Sequence, residues 1–415
     1  MLRHMSHLRK ILIDNGAIEM TALNKVAMNT LVNLTPMLTG KFLKEFPDID
    51  SNTPFDNYPY IWKNFSSSGY ATLESEDAMM AFNYLAGGFK NPPTDHYTRP
   101  FMLAADFSEL DKNSASKICL GPKTRIQILL EYLNDFIKSY ENIPHWALMF
   151  LSSASHNYAN DVSRVRHLYE DFIVNSFKSG AFENTLLIFF SDHGIRFGPL
   201  RATPQGWFED RTPFMFFWFP KWFRDENKHL IDNLKTNSRR LITFFDVHET
   251  LKDILKFEPN KIINRQISLN QRGISLFNKV PLNRTCISAQ IPLEYCVCSS
   301  STTAKLSRKE INRGANFMVN HLNKLISIEA YHCVQLKLLQ IIDAKRLGQE
   351  KDYLILLTIQ VAPSSAIFEG ILKVNSDNTI RLQGDINRTN KYGKQSHCVK
   401  TRAIREFCMC KDVAV

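Results

Sequence analysis

Residues 188–198 read IFFSDHGIRFG. The apolar run from Leu186 to Phe190 breaks at Ser191 and delivers Asp192 and His193 side by side, with Gly194 behind them. Such a run is a buried strand, and in an open parallel sheet ligands gather beyond the carboxyl ends of strands. A carboxylate beside a neutral imidazole suits zinc or a similar divalent ion. The same residues also fit a polar turn, where Asp bonds the backbone and Gly supplies the bend. Both readings stand until the rest of the chain is considered.

The flanking segments set the fold class. Residues 125–140 place Ile126, Leu129, Leu130, Leu133, Phe136, Ile137 and Tyr140 on one helical face. A compact apolar strand follows in HWALMFLSS (145–153), then a second helical period through Val162, Val165, Leu168, Tyr169, Phe172 and Ile173. Beyond Phe190 come the apolar strand TPFMFFWFP (212–220) and the helix FFDVHETLKDIL (244–255). Helices alternating with continuous apolar strands predict an α/β core over residues 1–260, a parallel-rich sheet flanked by helices. Residues 261–305 are irregular, polar and cysteine-containing, and read as a connector. A helix near 306–328 and strands in YLILLTIQVAP (353–363) and AIFEGILKVNSDNTIRLQGDI (366–386) predict a small C-terminal α+β domain over 306–415, with NSDN as a hairpin turn.

Composition narrows the function classes. The chain has 415 residues and a formal net charge of +10, with Lys and Arg spread along its length. That spread, without finger spacing or a basic region joined to heptads, predicts a solvated basic surface and no nucleic-acid partner. No apolar run approaches the roughly 18 residues that span a bilayer, so no transmembrane segment is expected. The first residues, MLRHMSHLRKILIDNG, do not read as a signal peptide. Seven of the eight cysteines lie beyond residue 285, twice as C-x-C, in YCVC and FCMC. Clustering of that kind suits disulfides and an oxidising compartment better than a zinc knuckle. N-x-S/T tripeptides at Asn33, Asn64, Asn283 and Asn387 are compatible with secretion.

Two further segments carry candidate chemistry. SSASHNYAND (152–161) places His156 at the carboxyl end of the strand 145–151. NKVAMNTLVNLTPMLTG (24–40) is a helical segment that ends at Gly40. Asn29 or Thr30 could be its N-cap. Alternatively the Thr30 hydroxyl is a nucleophile at a helix N-terminus, where free N–H groups attract an anionic phosphoryl group.

These pieces, in this order, resemble the family catalogued as domain of unknown function 229, within the alkaline phosphatase and sulfatase superfamily. The likeness rests on residues 24–40, PTDHYTRPF (93–101), SHNYAND (155–161), SDHGIRFG (191–198) and QGWFEDRTPF (205–214). It continues through FDVHETLKDIL (245–255), CISAQIPLEYCVC (286–298) and GDINRTNKYGKQSHC (384–398). The resemblance implies a sulfatase-like core in an extracellular or secretory-pathway protein. It implies a divalent metal cofactor, with Asp192 and His193 as metal ligands, Thr30 as nucleophile and His156 contacting the metal or the substrate oxyanion. The substrate it implies is a small or glycan-borne anionic phospho- or sulfo-ester.

Departures from the family pattern qualify this. The first core strand and its metal-binding Asp would lie upstream of Met1, so the chain is expected to be N-terminally truncated relative to the family. Ser153 stands where an earlier His is usual, Ala27-Met28 replaces Gly-Asp, and Arg166 falls near an expected downstream Asp. NTLVNL around Thr30 excludes formylglycine chemistry, which needs Cys or Ser in a C/S-x-P-x-R frame. Losing metal-site groups costs about 10 to 100-fold even for those in the outer shell, so a degenerate hydrolase, a pseudoenzyme, is expected. An active Thr-nucleophile phosphoesterase and a secreted non-catalytic binding protein are the alternatives.

Overall fold

The computed structural model describes residues 1, 3–47, 53–78, 82, 88–108, 118–156, 158, 160–201, 203–258, 271–298, 305–329, 331–347, 353–399 and 402–413. The 260/261 domain boundary expected from the sequence lies outside the described residues. Two compact units are present. One comprises Met1–His193 and Thr212–Gln290, the other Gly194–Arg211 and Ile291–Val415.

The first unit is the α/β core. Its helices are α1 (Ser6–Asp14), α2 (Thr30–Thr39), α3 (Ile61–Ser67), α4 (Arg99–Phe107), α5 (Arg125–Ser139) and α6 (Val162–Ser179). Its strands include β1 (Ile18–Glu19), β2 (Ala71–Glu76) and β3 (His96–Tyr97), and the small hairpin β4 (Cys119–Leu120) and β5 (Lys123–Thr124). They continue with β6 (His145–Phe150), β7 (Leu187–Phe190) and β8 (Met215–Trp218). β3, β2 and β6 form a parallel ladder in that order, with Glu76 opposite Phe150. β1, β8 and β7 form an antiparallel one, with Ile188 opposite Phe217. The strands that precede His156 and Asp192 thus belong to different ladders.

Strand side chains alternate between two apolar clusters, as the two-residue period of a pleated strand dictates. Trp146, Leu148, Phe150, Ile188, Phe190, Met215 and Phe217 face one of them, with Leu34 and Leu38 of α2 and Trp62 of α3. Leu73, Met149, Leu187, Phe189, Phe216 and Trp218 face the other, with Leu8 of α1, Ile126 and Leu133 of α5, and Tyr169 of α6. Strands covered on both faces are continuously apolar, which is why they stood out in the sequence.

The second unit is an antiparallel meander under one helix. Strands β9 (Lys337–Leu347), β10 (Tyr353–Ala362), β11 (Ala366–Val374) and β12 (Ile380–Arg388) pair in sequential order. The long helix Arg308–Ile326 starts with a capping box, in which Ser307 and Glu310 satisfy each other's backbone N–H groups. Its face Ala315, Met318, Val319, Leu322 and Ile326 packs on Ile355, Leu357, Phe368 and Leu372. The NSDN turn forms as expected, with Asn378 at φ 66° and the Asp377 carboxylate accepting from the Thr379 amide at 2.8 Å. Disulfides join Cys333 to Cys408 and Cys398 to Cys410, the oxidised framework expected of this region. The parallel sheet flanked by helices and the cysteine-bearing C-terminal α+β domain are the fold class read from the sequence. Among the described residues, no helix is long and apolar enough to cross a membrane.

Candidate functional site

The cluster around His193 is built from one strand end and one helix start, and His156 lies on a turn of the other ladder. After β7 the ladder persists for one residue, the Ser191 amide donating to the Phe214 carbonyl at 2.9 Å. The Ser191 hydroxyl then donates to the His193 carbonyl at 2.7 Å, which closes the turn. This turn holds Asp192 buried and leaves His193 half-buried. Asp192 Oδ2 lies 3.3 Å from His193 Nε2. That carboxylate oxygen is buried and, among the described residues, has no hydrogen-bond partner besides this approach of the His193 ring.

Helix α2 brings Thr30 to the same nitrogen. Asn29 precedes the helix in an extended conformation and makes no side-chain cap. Asn33 fixes the entry instead: its Oδ1 accepts from the Val26 and Ala27 amides at 3.0 and 2.9 Å, and its Nδ2 donates to the Ala27 and Asn29 carbonyls. Thr30 is therefore the first helical residue, and its Oγ1 stands 3.5 Å from His193 Nε2. The rest of α2 is buried almost all round, and its polar residues are satisfied within it. Thr35 and Thr39 donate to the carbonyls of Leu31 and Thr35 at 2.6 and 2.7 Å.

The far end of α2 is locked to the helix Phe244–Leu255. His248 Nδ1 donates to the Met37 carbonyl at 3.1 Å, and burial pushes its pKa down, which keeps the imidazole neutral. Gly40 ends α2 at φ +70°, and a Cβ there would meet the His248 ring at 2.7 Å. On the same helix, buried Asp246 accepts from Arg284 at 2.8 Å and from the Ile274 amide at 2.6 Å.

Residues that sequence reasoning passed over organise the carboxyl end of the β2–β6 ladder. Asp77, directly after β2, is fully buried. Its carboxylate accepts from the Ser152 amide at 2.7 Å, from the Ser153 amide at 3.1 Å and from the Ser153 hydroxyl. Burial pushes the Asp77 carboxyl up, against the pull of these donors and of Arg125. Glu74 is also buried, and its pKa is pushed well up, by burial first and by Glu76 second. His156 stands one turn beyond the serines, half-buried, its amide donating to the Ser152 carbonyl at 2.9 Å. Asp77 thus braces the turn that carries His156. Arg166 is exposed on α6, opposite the buried face Val165, Tyr169 and Ile173. Its side chain is turned away from the apolar cluster that this helix buries.

The donor set fits a divalent ion in part. Zinc ligands at about 2.1 Å in tetrahedral array lie roughly 3.4 Å from one another, close to the spacing around His193 Nε2. A buried carboxylate oxygen approached, among the described residues, by the His193 ring alone is the group such an ion would satisfy. Among the described residues, Asp192 and His193 are the conventional ligands shown in this cluster. Among the described residues, the groups of three His, Cys, Asp or Glu side chains close enough to share an ion all include a disulfide-bonded cysteine.

A family model described as protein of unknown function (DUF229) matches residues 1–342. The chain belongs to the DUF229 family. No curated protein matches it. Among solved structures, the DUF229 chain is similar to the C-terminal periplasmic domain of the phosphoethanolamine transferase EptC from Campylobacter jejuni. Identity is 10%, with 62% of this chain and 82% of that chain covered, at a TM-score of 0.40. It is similar to the lipoteichoic acid synthase LtaP from Listeria monocytogenes at 10% identity, covering 95% and 80% of the two chains, TM-score 0.40. It is also similar to a Bacteroides thetaiotaomicron protein of a locus for metabolism of multiple glycosaminoglycans. There identity is 13% over 94% and 83% of the two chains, TM-score 0.43.

Proposed function

We propose that this DUF229 chain carries an anionic-ester hydrolase site of the sulfatase and alkaline phosphatase type, reduced to weak cation binding and little or no turnover. The observation that carries the reading is the convergence of Thr30 Oγ1 and the buried Asp192 Oδ2 on His193 Nε2. Asp192 and His193 would hold a divalent ion, which supplies charge that lowers the pKa of a nearby hydroxyl. Thr30 presents that hydroxyl, and the helix start at Thr30 would favour an incoming phosphoryl or sulfuryl oxygen. His156, on the turn braced by Asp77, is the group proposed to face the developing oxyanion. The substrate class is a phospho- or sulfo-ester, free or carried on a glycan. The two disulfides of the second unit favour an extracellular or secretory setting.

The weakness follows from ligand number. The two conventional ligands seen among the described residues would leave most of a divalent ion's coordination to water, and Ser153 supplies no imidazole. Zinc titration by calorimetry and hydrolysis of p-nitrophenyl phosphate and sulfate test the reading together. We expect measurable zinc binding that falls about 10-fold or more in Asp192→Asn, with any turnover abolished in Thr30→Ala. Zinc binding unchanged by Asp192→Asn would sink the ligand assignment.

A further inference from the structure

We propose that Asn64 and Asn283 carry N-linked glycans and that Asn33 and Asn387 do not. The four tripeptides look alike in sequence, NLT, NFS, NRT and NRT at 33, 64, 283 and 387, and the fold separates them. Asn33 is 0% exposed, and both hydrogens of its Nδ2 are spent on the Ala27 and Asn29 carbonyls. A sugar on that nitrogen would remove one of these bonds and need room in a packed core at the start of α2. Asn387 is 9% exposed on β12, and its Oδ1 accepts from the Tyr295 hydroxyl at 3.4 Å. Glycans are bulky and demand surface, so neither position can carry one in the folded protein.

The other two positions are open. Asn64 lies on the exposed side of α3, whose opposite side buries Ile61, Trp62 and Phe65. Asn283 occupies a turn in which the Arg284 amide donates to the Pro281 carbonyl at 3.2 Å. The Arg284 side chain pins that turn from below, donating to Asp246 at 2.8 Å and to the Arg272 carbonyl at 2.6 Å. Asn283 and the Thr285 that completes its tripeptide are both exposed on this fixed projection. Leu282 beside them is 84% exposed, an apolar side chain that the first sugar ring would cover.

The transfer joins the asparagine amide nitrogen to the anomeric carbon of an oligosaccharide carried on a lipid diphosphate. The bond from that carbon to the diphosphate oxygen breaks, the oxygen keeps the electron pair, and the amide gives up one proton. Transfer accompanies synthesis, so a chain modified at Asn33 could not complete the entry to α2 and would not reach the folded pool.

The inference rests on the secretory setting proposed above, and its test separates the two. The full chain is expressed behind a cleavable secretory leader in cultured mammalian cells, and the folded protein is collected from the medium. Peptide N-glycosidase should shift its mass by two glycans, leaving aspartate at positions 64 and 283 and asparagine at 33 and 387. Asn64→Gln and Asn283→Gln should each remove one glycan, and the double variant both. A folded chain bearing sugar on Asn33 or Asn387, or bare at 64 and 283, overturns the assignment. A chain retained in the cell with positions 64 and 283 unmodified overturns it equally. Export of the chain without the added leader bears on the secretory setting alone.

Discussion

Asp77 holds Ser153 by both its backbone and its side chain: one carboxylate accepts the Ser153 amide at 3.1 Å and the Ser153 hydroxyl as well. Ser153 stands where the family resemblance anticipates a histidine. The position has therefore become part of the brace between β2 and the turn that carries His156. A hydrogen bond to a charged group contributes about 1.5–3 kcal/mol, and Asp77 makes several. Asp77→Asn cannot accept from Ser153 at the oxygen it replaces and should lower stability by about 1–3 kcal/mol, seen as a reduced urea midpoint. In that background Ser153→Ala should cost less than in the wild type, because the two residues share one interaction. Equal costs in both backgrounds would show that the pair is not coupled.

Stability should fall as the pH drops below about 6.5 because of His248. Its native pKa is lowered by burial, whereas in the unfolded chain it titrates near 6.5. Between those values the unfolded state binds the proton and the fold does not, so acidification favours unfolding. Asp77 and Asp246 have the opposite sign: burial raises both, so the fold keeps their protons longer and loses stability as pH rises from about 3.8 through the native values. His248→Asn preserves a donor toward the Met37 carbonyl and removes the titration. Its thermal midpoint should vary less than that of the wild type as the pH falls below about 6.5. A wild-type slope retained in full would assign the effect to another group.

Periodicity made the helices 125–140 and 244–255 legible, and they end within a residue of Arg125–Ser139 and Phe244–Leu255. The apolar strands β6, β7 and β8 were legible because both of their faces are covered. β2 was not. ATLESED (71–77) places three carboxylates in seven residues, a pattern that reads as surface, yet β2 lies between β3 and β6 and buries them. β9 has no clear sequence signature because it is an edge strand, irregular opposite Thr358/Ile359 and Gln360/Val361, with many side chains exposed. The approach of Thr30 to His193 spans 163 positions, and no local pattern encodes it. Only the family resemblance drew those two residues into one site.

Glu369 is expected to be the most sensitive charge in the second unit. It accepts from Arg201 at 2.9 Å and Arg211 at 2.7 Å, and all three are buried. Burial pushes its carboxyl up, but the guanidinium groups of Arg211 and Arg201 outweigh that and hold it below the ordinary value. Removing one member of a buried ion pair costs about 3–5 kcal/mol, since the partners stay buried without compensation. Glu369→Gln should lower the urea midpoint accordingly and speed hydrogen exchange of the β11 amides. Both segments that supply the arginines belong to this unit, with Arg211 also donating to the Glu294 carbonyl at 2.7 Å. A loss below 1 kcal/mol would mean that this carbonyl and Asp210 suffice.

The two disulfides of the second unit should differ in what they contribute. Cys333–Cys408 closes a separation of 75 residues and Cys398–Cys410 one of 12. In the chain-entropy account, cross-links limit the unfolded ensemble more when the loop is longer, about 4.5 kcal/mol against about 3 kcal/mol here. Cys333, Cys408 and Cys410 are buried, so Ala is the better replacement, placing no hydroxyl in the core. The Cys333→Ala/Cys408→Ala double variant should therefore lose more stability than Cys398→Ala/Cys410→Ala, read as the larger drop in urea midpoint under non-reducing conditions. The opposite order would show that native packing around Cys410, not loop length, sets the contribution of the shorter bridge.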